Sequence, residues 1–255
     1  MQQVFRFFTQ FLQHIGTYFL LMKAVFSRPE KWSINWENFL KEVDKLCIKS
    51  FGIVAIISVF MGAVITLQTS AQLASSSFIP AYLVGFTTRQ STILEFSPTI
   101  ISLILAGKLG SNIASELGSM RISEQIDALE IMGVNGPSFL ILPKVLAALI
   151  FNPILIVYSM FLSMLGGYLV TFTLDHLTVA EYMQGIYNDV NITNIWYSLT
   201  KTVFFAFIIT SIPGYFGYTM KGGSLEVGKA STQGVVYSSI LILIVNYLLT
   251  QILLM

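Results

Sequence analysis

Residues 223–230 contain a glycine pattern that nearly matches a phosphate-binding loop. Gly223, Gly228 and Lys229 have the spacing at which backbone N–H groups and a lysine cradle nucleotide phosphates. However, Ala230 stands where a hydroxyl should bind Mg²⁺, and no hydrophobic strand precedes the loop. We therefore expect no cofactor in this chain, so that any ATPase site belongs to another chain. The glycines are better explained by a tight turn that holds Lys221 and Lys229 near anionic head groups.

Hydrolytic and metal chemistry have little support in the residues. The only histidines are His14 and His176, and neither a GxSxG elbow nor an HExxH pair occurs. The single cysteine, Cys47, excludes an internal disulfide and a multi-cysteine metal site. A serine–lysine dyad using Lys201 is compatible with the spacing, but nothing specific supports it. We expect no catalytic residue and no metal site, and therefore no enzyme.

Two charged residues, Glu95 and Lys201, lie in otherwise apolar stretches. Charges at such positions are costly in a membrane and mark substrate paths or buried partners. One interpretation is that they attract a charged substrate. The other is a structural ion pair, or snorkelling of the side chains to the interface. The residues alone leave both interpretations open.

Composition identifies the surroundings of these residues as a membrane. The chain of 255 residues is 55% hydrophobic and only 11% charged, with a mean hydropathy of +0.74. Soluble domains carry about 25% charged residues, so most of this surface faces lipid. The net charge of +1 gives no basic field, which argues against nucleic acid as a partner.

Five apolar stretches are long enough for the roughly 20 residues that a membrane-crossing helix needs. They lie at about 50–73, 98–117, 138–172, 195–219 and 232–255. The third is long, but splitting it would put Lys221 and Lys229 outside, against the positive-inside bias. We therefore predict one span, tilted or bent near Pro153. With the N-terminus inside, the outer loops carry only Arg89.

Residues 1–49 predict two amphipathic helices separated by a break at Arg28-Pro29. Apolar residues recur at helical spacing, and Trp36 and Phe39 continue the second stripe beside Glu37 and Lys41. Helices with one apolar and one charged side, with tryptophan at the boundary, lie in the membrane interface. The alternative is a pair of soluble helices that cap a bundle.

The segment between the second and third apolar stretches predicts a short charged helix. In SEQIDALEIMG, Ile126 and Leu129 share a side with Ile122, and Gly133 is the expected C-cap. A helix joined rigidly to two spans could receive force from a separate motor protein. Composition alone favours the simpler alternative, an ordinary interfacial loop helix.

The residues AGKLGSNIASELGSMRISEQIDALEIMGV resemble the signature of the MlaE family. These permeases work with MCE proteins in lipid transport across the bacterial envelope. The similarity extends more weakly to Leu142-Pro143, Gly166-Gly167 and residues 222–236. It implies an all-α integral membrane protein, with interfacial helices in 1–49 and a five-span permease domain in 50–255 that includes a coupling helix at about 122–133.

The same resemblance implies the function and the partners. We expect the permease subunit of an ATP-driven ABC transporter that moves phospholipid between the inner membrane and a periplasmic MCE protein, supporting outer-membrane lipid homeostasis. Implied partners are a second permease in a homodimer, two cytoplasmic ABC ATPases that bind ATP and Mg, a periplasmic MCE-domain hexamer and a small cytoplasmic accessory protein. The chain would lie in the bacterial inner membrane, with a cytoplasmic N-terminus and a periplasmic C-terminus.

The resemblance also implies two sets of site residues. The ATPase-coupling set is Arg121, Glu124, Gln125, Asp127, Glu130 and Gly133. The lipid-binding set is Glu95, Lys201 and Arg89, near an outward-open cavity. Several members of the family carry arginine immediately before this glutamate, where this chain has Leu94.

Two other classes of function remain open on the residues alone. One is a stand-alone membrane channel or secondary carrier, for which Glu95 and Lys201 are thin evidence. The other is a structural anchor for a partner complex. An anchor predicts that charge reversal between Glu124 and Glu130 leaves ATP-driven transport intact.

Overall fold

The chain folds into helices throughout its described part. The computed structural model describes residues 2–27, 32–74, 80–174 and 176–254, and within these ranges it contains no strand. The α-helices are α1 (Gln2–Phe26), α2 (Trp32–Glu42), α3 (Phe51–Ala74), α4 (Tyr82–Ser91), α5 (Ile101–Leu105), α6 (Ser111–Ile122), α7 (Gln125–Ile131), α8 (Gly136–Thr171), α9 (Val179–Tyr187), α10 (Ile192–Thr219) and α11 (Ser224–Leu254).

Five helical runs are long and apolar enough to cross a membrane, which confirms the predicted all-α, five-span class. They are Trp36–Leu73, Tyr82–Ile122, Gly136–Thr171, Ile192–Thr219 and Ser224–Leu253. The long third stretch is one continuous helix, as predicted. The runs exceed the predicted stretches because hydropathy detects only the apolar part of a helix, whereas the backbone hydrogen bonds continue through its polar ends.

The second run contains two segments of wider, π-helical turns. These are Thr92–Ile100, between α4 and α5, and Ala106–Gly110, between α5 and α6. Pro98 lies inside the first segment, and a proline removes a backbone donor from any helix that contains it. π-Helical turns occur frequently at functional sites. Here the first segment carries Glu95.

The chain divides into two compact units, the first of which contains α6, α7 and the ends of several long helices. It takes its described residues from Met1–Leu46, Leu105–Leu149 and Ala206–Leu241. Its helices pack through small residues. A Cβ on Gly217 would lie 2.7 Å from the carbonyl oxygen of Ala114, and one on Gly118 would lie 2.9 Å from the Met220 sulfur. The face of α6 that carries the small residues Ala114 and Gly118 therefore packs against α10 and the residue that follows it.

The second unit takes its described residues from Cys47–Ile104, Ile150–Phe205 and Ile242–Met255. A Cβ on Gly62 would lie 1.7 Å from the carbonyl oxygen of Ser163, and one on Gly166 would lie 2.0 Å from that of Val59. α3 and α8 therefore pack backbone against backbone. The small residues Gly62 and Thr66, four apart in α3, are a pattern typical of such close helix contacts.

Helix α9, also in the second unit, begins with a capping box. The Glu181 amide donates to Oγ1 of Thr178 at 3.3 Å, and the Thr178 amide donates to Oε2 of Glu181 at 2.9 Å. The Thr178 hydroxyl also donates to Oε2 of Glu181 at 2.7 Å. The two hydrogen bonds that the Thr178 side chain and backbone donate to this carboxylate lower the pKa of Glu181. A Cβ on Gly185 would lie 2.0 Å from the carbonyl oxygen of Tyr82, so α9 lies directly against α4.

Candidate functional site

The structure pairs the two charged residues that the sequence places in apolar stretches. Nζ of Lys201 lies 2.7 Å from Oε1 of Glu95, the lysine side chain is fully buried, and the glutamate side chain is 40% exposed. The ammonium group also lies 3.5 Å from the Leu94 carbonyl oxygen and 4.4 Å from the centre of the Tyr197 ring. The lysine therefore does not snorkel to the surface, and its charge is balanced locally.

Three neutral side chains complete the surroundings of the Glu95 carboxylate. Nδ2 of Asn246 donates to Oε2 at 3.1 Å, and the Thr99 hydroxyl donates to the same oxygen at 3.3 Å. The Thr250 hydroxyl donates to Oε1 at 3.2 Å, the oxygen that Lys201 also contacts. The Thr250 hydroxyl also donates to the Asn246 carbonyl oxygen at 2.7 Å, so its single proton is shared between the two acceptors. These contacts stabilise the charged form of Glu95 in an apolar region and leave its Oε1 atom able to accept another donor.

This cluster, which we call the Glu95 cluster, is built from three pairs of residues spaced four apart. The pairs are Glu95 and Thr99, Tyr197 and Lys201, and Asn246 and Thr250. Residues four apart share a helix face, so each helix needs to present only one face. Asn246 and Thr250 are not among the residues predicted from the sequence, although two polar residues at this spacing in an apolar run are a visible signal.

The Glu95 cluster presents acceptor groups to which a polar donor group can bind. Its carboxylate is partly exposed and can accept a further hydrogen bond. Oδ1 of Asn246 is buried without a hydrogen-bond partner, so a second acceptor lies beside it. Among the described residues, no group of three or more His, Cys, Asp or Glu side chains could hold a metal ion. The chemistry available is recognition of a donor group.

Arg89 is not part of the Glu95 cluster. Its guanidinium donates to the carbonyl oxygens of Ile186 at 2.6 Å and Asp189 at 3.0 Å, and it lies 5.2 Å from the Phe86 ring centre. The residue is buried. Asp189 has a left-handed backbone with φ of 52°, so Arg89 ties α4 to a tight turn that follows α9.

The short charged helix predicted between the second and third spans is α7. Arg121 donates to Oδ1 of Asp127 at 2.6 Å, and the Tyr218 hydroxyl donates to Oε1 of Glu130 at 2.8 Å. Ile126 is fully buried. Two polar contacts and one buried anchor therefore fix the orientation of α7 within the first unit.

Both ends of α7 require a left-handed backbone. Glu124 precedes the helix with φ of 57°, and Gly133 follows it with φ of 80°. The Gly133 amide donates to the Glu130 carbonyl oxygen at 3.0 Å, and the Val134 amide donates to the Leu129 carbonyl oxygen at 3.1 Å. This is a Schellman motif in which Met132 is the C-cap, so the predicted glycine supplies the left-handed residue immediately after the cap.

Most of the large exposed side chains of α7 are polar, and its end is apolar. Glu124 and Gln125 are exposed. Beside them, Ile131 is 87% exposed and Met132 is 68% exposed. Large apolar side chains this exposed, on a helix held in place by several contacts, are typical of a surface that binds another protein.

A second buried ion network, which was not predicted from the sequence, lies in the first unit. Nζ of Lys144 lies 2.5 Å from Oε1 of Glu42 and 2.9 Å from Oε2 of Glu116. Lys45 lies 2.7 Å from the same Glu116 oxygen. The network joins the end of α2 to α6 and α8, the two helices that flank α7.

Comparison with known proteins places the chain in a family. Residues 39–252 match the family described as Permease MlaE. A probable ABC transporter permease protein of Rickettsia bellii is 33% identical, over 94% of this chain and 92% of the relative. A probable ABC transporter permease protein of Synechocystis is 29% identical, over 93% of this chain and 90% of the relative.

A plant relative shows similar coverage of this chain. The chloroplastic protein TRIGALACTOSYLDIACYLGLYCEROL 1 of Arabidopsis thaliana is 29% identical, over 91% of this chain and 66% of the relative. With the match of the family to most of the chain and five helices able to span a membrane, the protein belongs to the MlaE permease family and is a multi-pass permease subunit of an ABC transporter.

Proposed function

We propose that this permease moves phospholipid between the inner membrane and a periplasmic MCE protein, and so supports outer-membrane lipid homeostasis. The observation that supports this most directly is the Glu95 cluster. It places a partly exposed carboxylate within membrane-spanning helices, with a buried lysine behind it. A polar group held inside an apolar wall suits a substrate with one charged end and a long apolar remainder.

The name of the plant relative also supports a lipid substrate, since that name refers to a galactolipid. Within the lipid-binding set, we propose that Glu95 contacts the lipid head group and that Lys201, which is fully buried, balances the charge of Glu95 from behind. Because Lys201 is already paired, the group exposed to the lipid is the carboxylate, which favours a head group that carries a donor such as an ammonium or hydroxyl. Arg89 would act at a distance, by holding the turn after α9.

For energy coupling, we propose that α7 docks into a groove of an ABC ATPase that binds the ATP and Mg. The coupling set is Arg121, Glu124, Gln125, Asp127, Glu130 and Gly133. Within it, Arg121 and Glu130 hold the helix, whereas Glu124 and Gln125 face outward. The exposed Ile131 and Met132 would supply the apolar contact.

The proposed assembly contains two copies of this permease, two cytoplasmic ATPases, a periplasmic MCE-domain hexamer and a small cytoplasmic accessory protein. The charge map favours a cytoplasmic N-terminus and a periplasmic C-terminus in the bacterial inner membrane. We further propose that residues 1–49 lie in the membrane interface. Co-purification with an ATPase and an MCE protein would test this composition, and a lone oligomer that conducts ions would contradict it.

Transfer of a fluorescent phospholipid tests the substrate proposal. The complex is reconstituted in liposomes with its ATPase and MCE partners, and ATP-dependent transfer is measured for Glu95→Ala and Lys201→Ala. We expect both variants to slow transfer about tenfold or more, because one removes the proposed head-group contact and the other removes the cation that holds it, and a charged hydrogen bond contributes about 1.5–3 kcal/mol. A matched control is Thr200→Val, a polar residue next to Lys201 whose hydroxyl bonds only its own helix.

Assembly must be measured beside transfer, because both substitutions disturb an ion pair. Size-exclusion profiles and ATPase rates of each variant complex serve this purpose. Normal assembly with unchanged transfer would remove the Glu95 cluster from the lipid path. Reduced transfer with normal assembly and an unchanged Thr200→Val control would support it.

The docking proposal has a separate test in Ile131→Asp. We expect the ATPase to co-purify less well and its transport-coupled activity to fall at least tenfold, because the substitution places a charge in an apolar contact. The control is Val190→Asp, which changes another exposed apolar residue in the second unit. If the Ile131→Asp variant binds the ATPase and supports coupled transport as well as the Val190→Asp control does, α7 is not the docking element.

A further inference from the structure

A polar cavity of about 700 Å³ lies in the first unit, beside the two side chains, Arg121 and Tyr218, that hold α7. Its lining includes Arg121, Lys221, His14, Tyr215 and Tyr218. No carboxylate belongs to the described lining, so both formally charged groups are cations. The volume falls within the range of about 300–1,000 Å³ that is typical of ligand sites.

An apolar groove of about 450 Å³ adjoins this polar cavity. The two spaces share His14 and Tyr215 in their linings. The Nδ1 atom of His14 lies 2.8 Å from the Tyr215 hydroxyl, so these side chains are joined where the spaces meet. The groove is walled by aromatic and aliphatic side chains from α1, α10 and α11.

The aromatic side chains of the groove form a continuous row. The Tyr18 and Tyr215 rings contact edge to face at 5.8 Å, and the Phe216 and Tyr237 rings stack at 5.3 Å. Phe216 also contacts Tyr215 at 5.2 Å. Aromatic rows of this kind are enriched at membrane interfaces, where one end of the ring is apolar and the other is wet.

The order of residues along α10 gives the two spaces a common direction. Ile212 and Phe216 line the groove, whereas Tyr218 lines the polar cavity, followed by Lys221 just beyond the helix end. The apolar space thus lies toward the membrane-spanning part of α10, and the cationic space lies at its end. A single anionic lipid has the same arrangement, with a charged head group at one end and an apolar acyl chain beside it.

We infer that the polar cavity and the apolar groove together bind an anionic phospholipid, with its phosphate near Lys221 and Arg121 and an acyl chain in the groove. Lys221 is exposed and has no ion-pair partner among the described residues. Arg121 uses one of its five donors on Asp127. The site shares no residue with the Glu95 cluster, so it does not depend on the proposed substrate path.

The site also touches the contacts that orient α7. Arg121 and Tyr218 line the cavity, and the same two side chains bond Asp127 and Glu130 of that helix. A phosphate at Lys221 therefore lies against the hydrogen bonds that fix the proposed coupling helix. We place this lipid in a structural or regulatory position, separate from transported lipid.

Lipid photo-crosslinking on the purified permease in nanodiscs tests the site. The probe is phosphatidylglycerol with a photoreactive acyl chain, and phosphatidylcholine with the same chain serves as the neutral comparison. We expect phosphatidylglycerol to label peptides that carry Tyr18 or Tyr237 more strongly. Inorganic phosphate at millimolar concentration should not displace it, because a free anion gains nothing from the groove.

Matched lysine variants make the test specific. Lys221→Gln should weaken phosphatidylglycerol labelling about fivefold, as loss of one cation near a lipid phosphate predicts, and Lys221→Arg should retain it. The control is Lys229→Gln, which removes a nearby cation that pairs with Glu226 at 2.6 Å and lies outside both linings. Thermal unfolding of each variant checks that the fold is intact.

Four results would overturn the inference. One is equal labelling by the two lipids, which indicates a groove without charge selection. Another is an equal loss in Lys221→Gln and Lys229→Gln, which indicates general surface charge. Displacement by inorganic phosphate would indicate an anion site only. Labelling absent from both peptides, with crosslinks from a second copy of the chain instead, would assign the groove to a protein interface.

Discussion

Among the residues whose burial the structure describes, each of the two units buries one lysine, and the two lysines are balanced in different ways. In the first unit, the Lys144 side chain is 3% exposed and faces two acids, Glu42 at 15% and Glu116 at 28% exposure. In the second, the Lys201 side chain is fully buried and faces one acid, Glu95, which is 40% exposed.

The difference lies in what else each acid contacts. Glu95 accepts hydrogen bonds from three neutral side chains besides Lys201. In contrast, Oε2 of Glu42 is buried without a partner, and Glu116 is held by two lysines. The acids of the Lys144 network are stabilised by lysines alone, whereas the Glu95 carboxylate is also stabilised by neutral hydrogen-bond donors. This comparison favours a structural role for the first and a ligand-facing role for the second.

Lys144→Met should have the largest effect on stability. It leaves Glu42 without a cation, and removal of one partner of a buried pair costs about 3–5 kcal/mol. We expect a clear fall in the thermal unfolding temperature of the purified permease. Because the variant could fail to fold, Glu42→Gln combined with Lys144→Met should recover part of the loss. A single variant as stable as the parent would contradict the structural role.

Lys201→Met should destabilise the protein less but impair transport more. Glu95 keeps Asn246, Thr250 and Thr99 as donors and partial access to its surroundings, so the cost is that of one charged hydrogen bond, about 1.5–3 kcal/mol. Adding Glu95→Gln should restore stability without restoring transfer. A double variant that recovers both would reduce the Glu95 cluster to a structural ion pair.

The sequence predicts the helices well because a membrane span needs a long apolar stretch that hydropathy detects directly. The same reasoning assigns α8 to one span from the charges at Lys221 and Lys229. Hydropathy and charge counts cannot identify which residue pairs with a charged side chain, because the partner lies on a helix that is distant in the sequence. Glu95 and Lys201 are 106 residues apart, and each suggests only that some partner exists.

The Lys144 network shows a different limit. Lys144 and Glu116 lie near predicted span ends, where a charge facing water is the ordinary expectation. Burial of both depends on the packing of α6 against α8, which composition does not encode. Similarly, the turn at Gly133 is predictable from residue type, whereas the bond from Tyr218 to Glu130 requires the fold.

Lys45→Gln should have the smallest effect and thereby locate the centre of the network. Lys45 pairs with Glu116, but its side chain is 38% exposed, and partly exposed pairs contribute about 0–1 kcal/mol. Glu116 also retains Lys144. We expect an unfolding temperature within a few degrees of the parent. A fall in unfolding temperature as large as that of Lys144→Met would mean that both lysines are needed to neutralise Glu116. The centre of the charge-dependent network would then be Glu116 rather than Lys144.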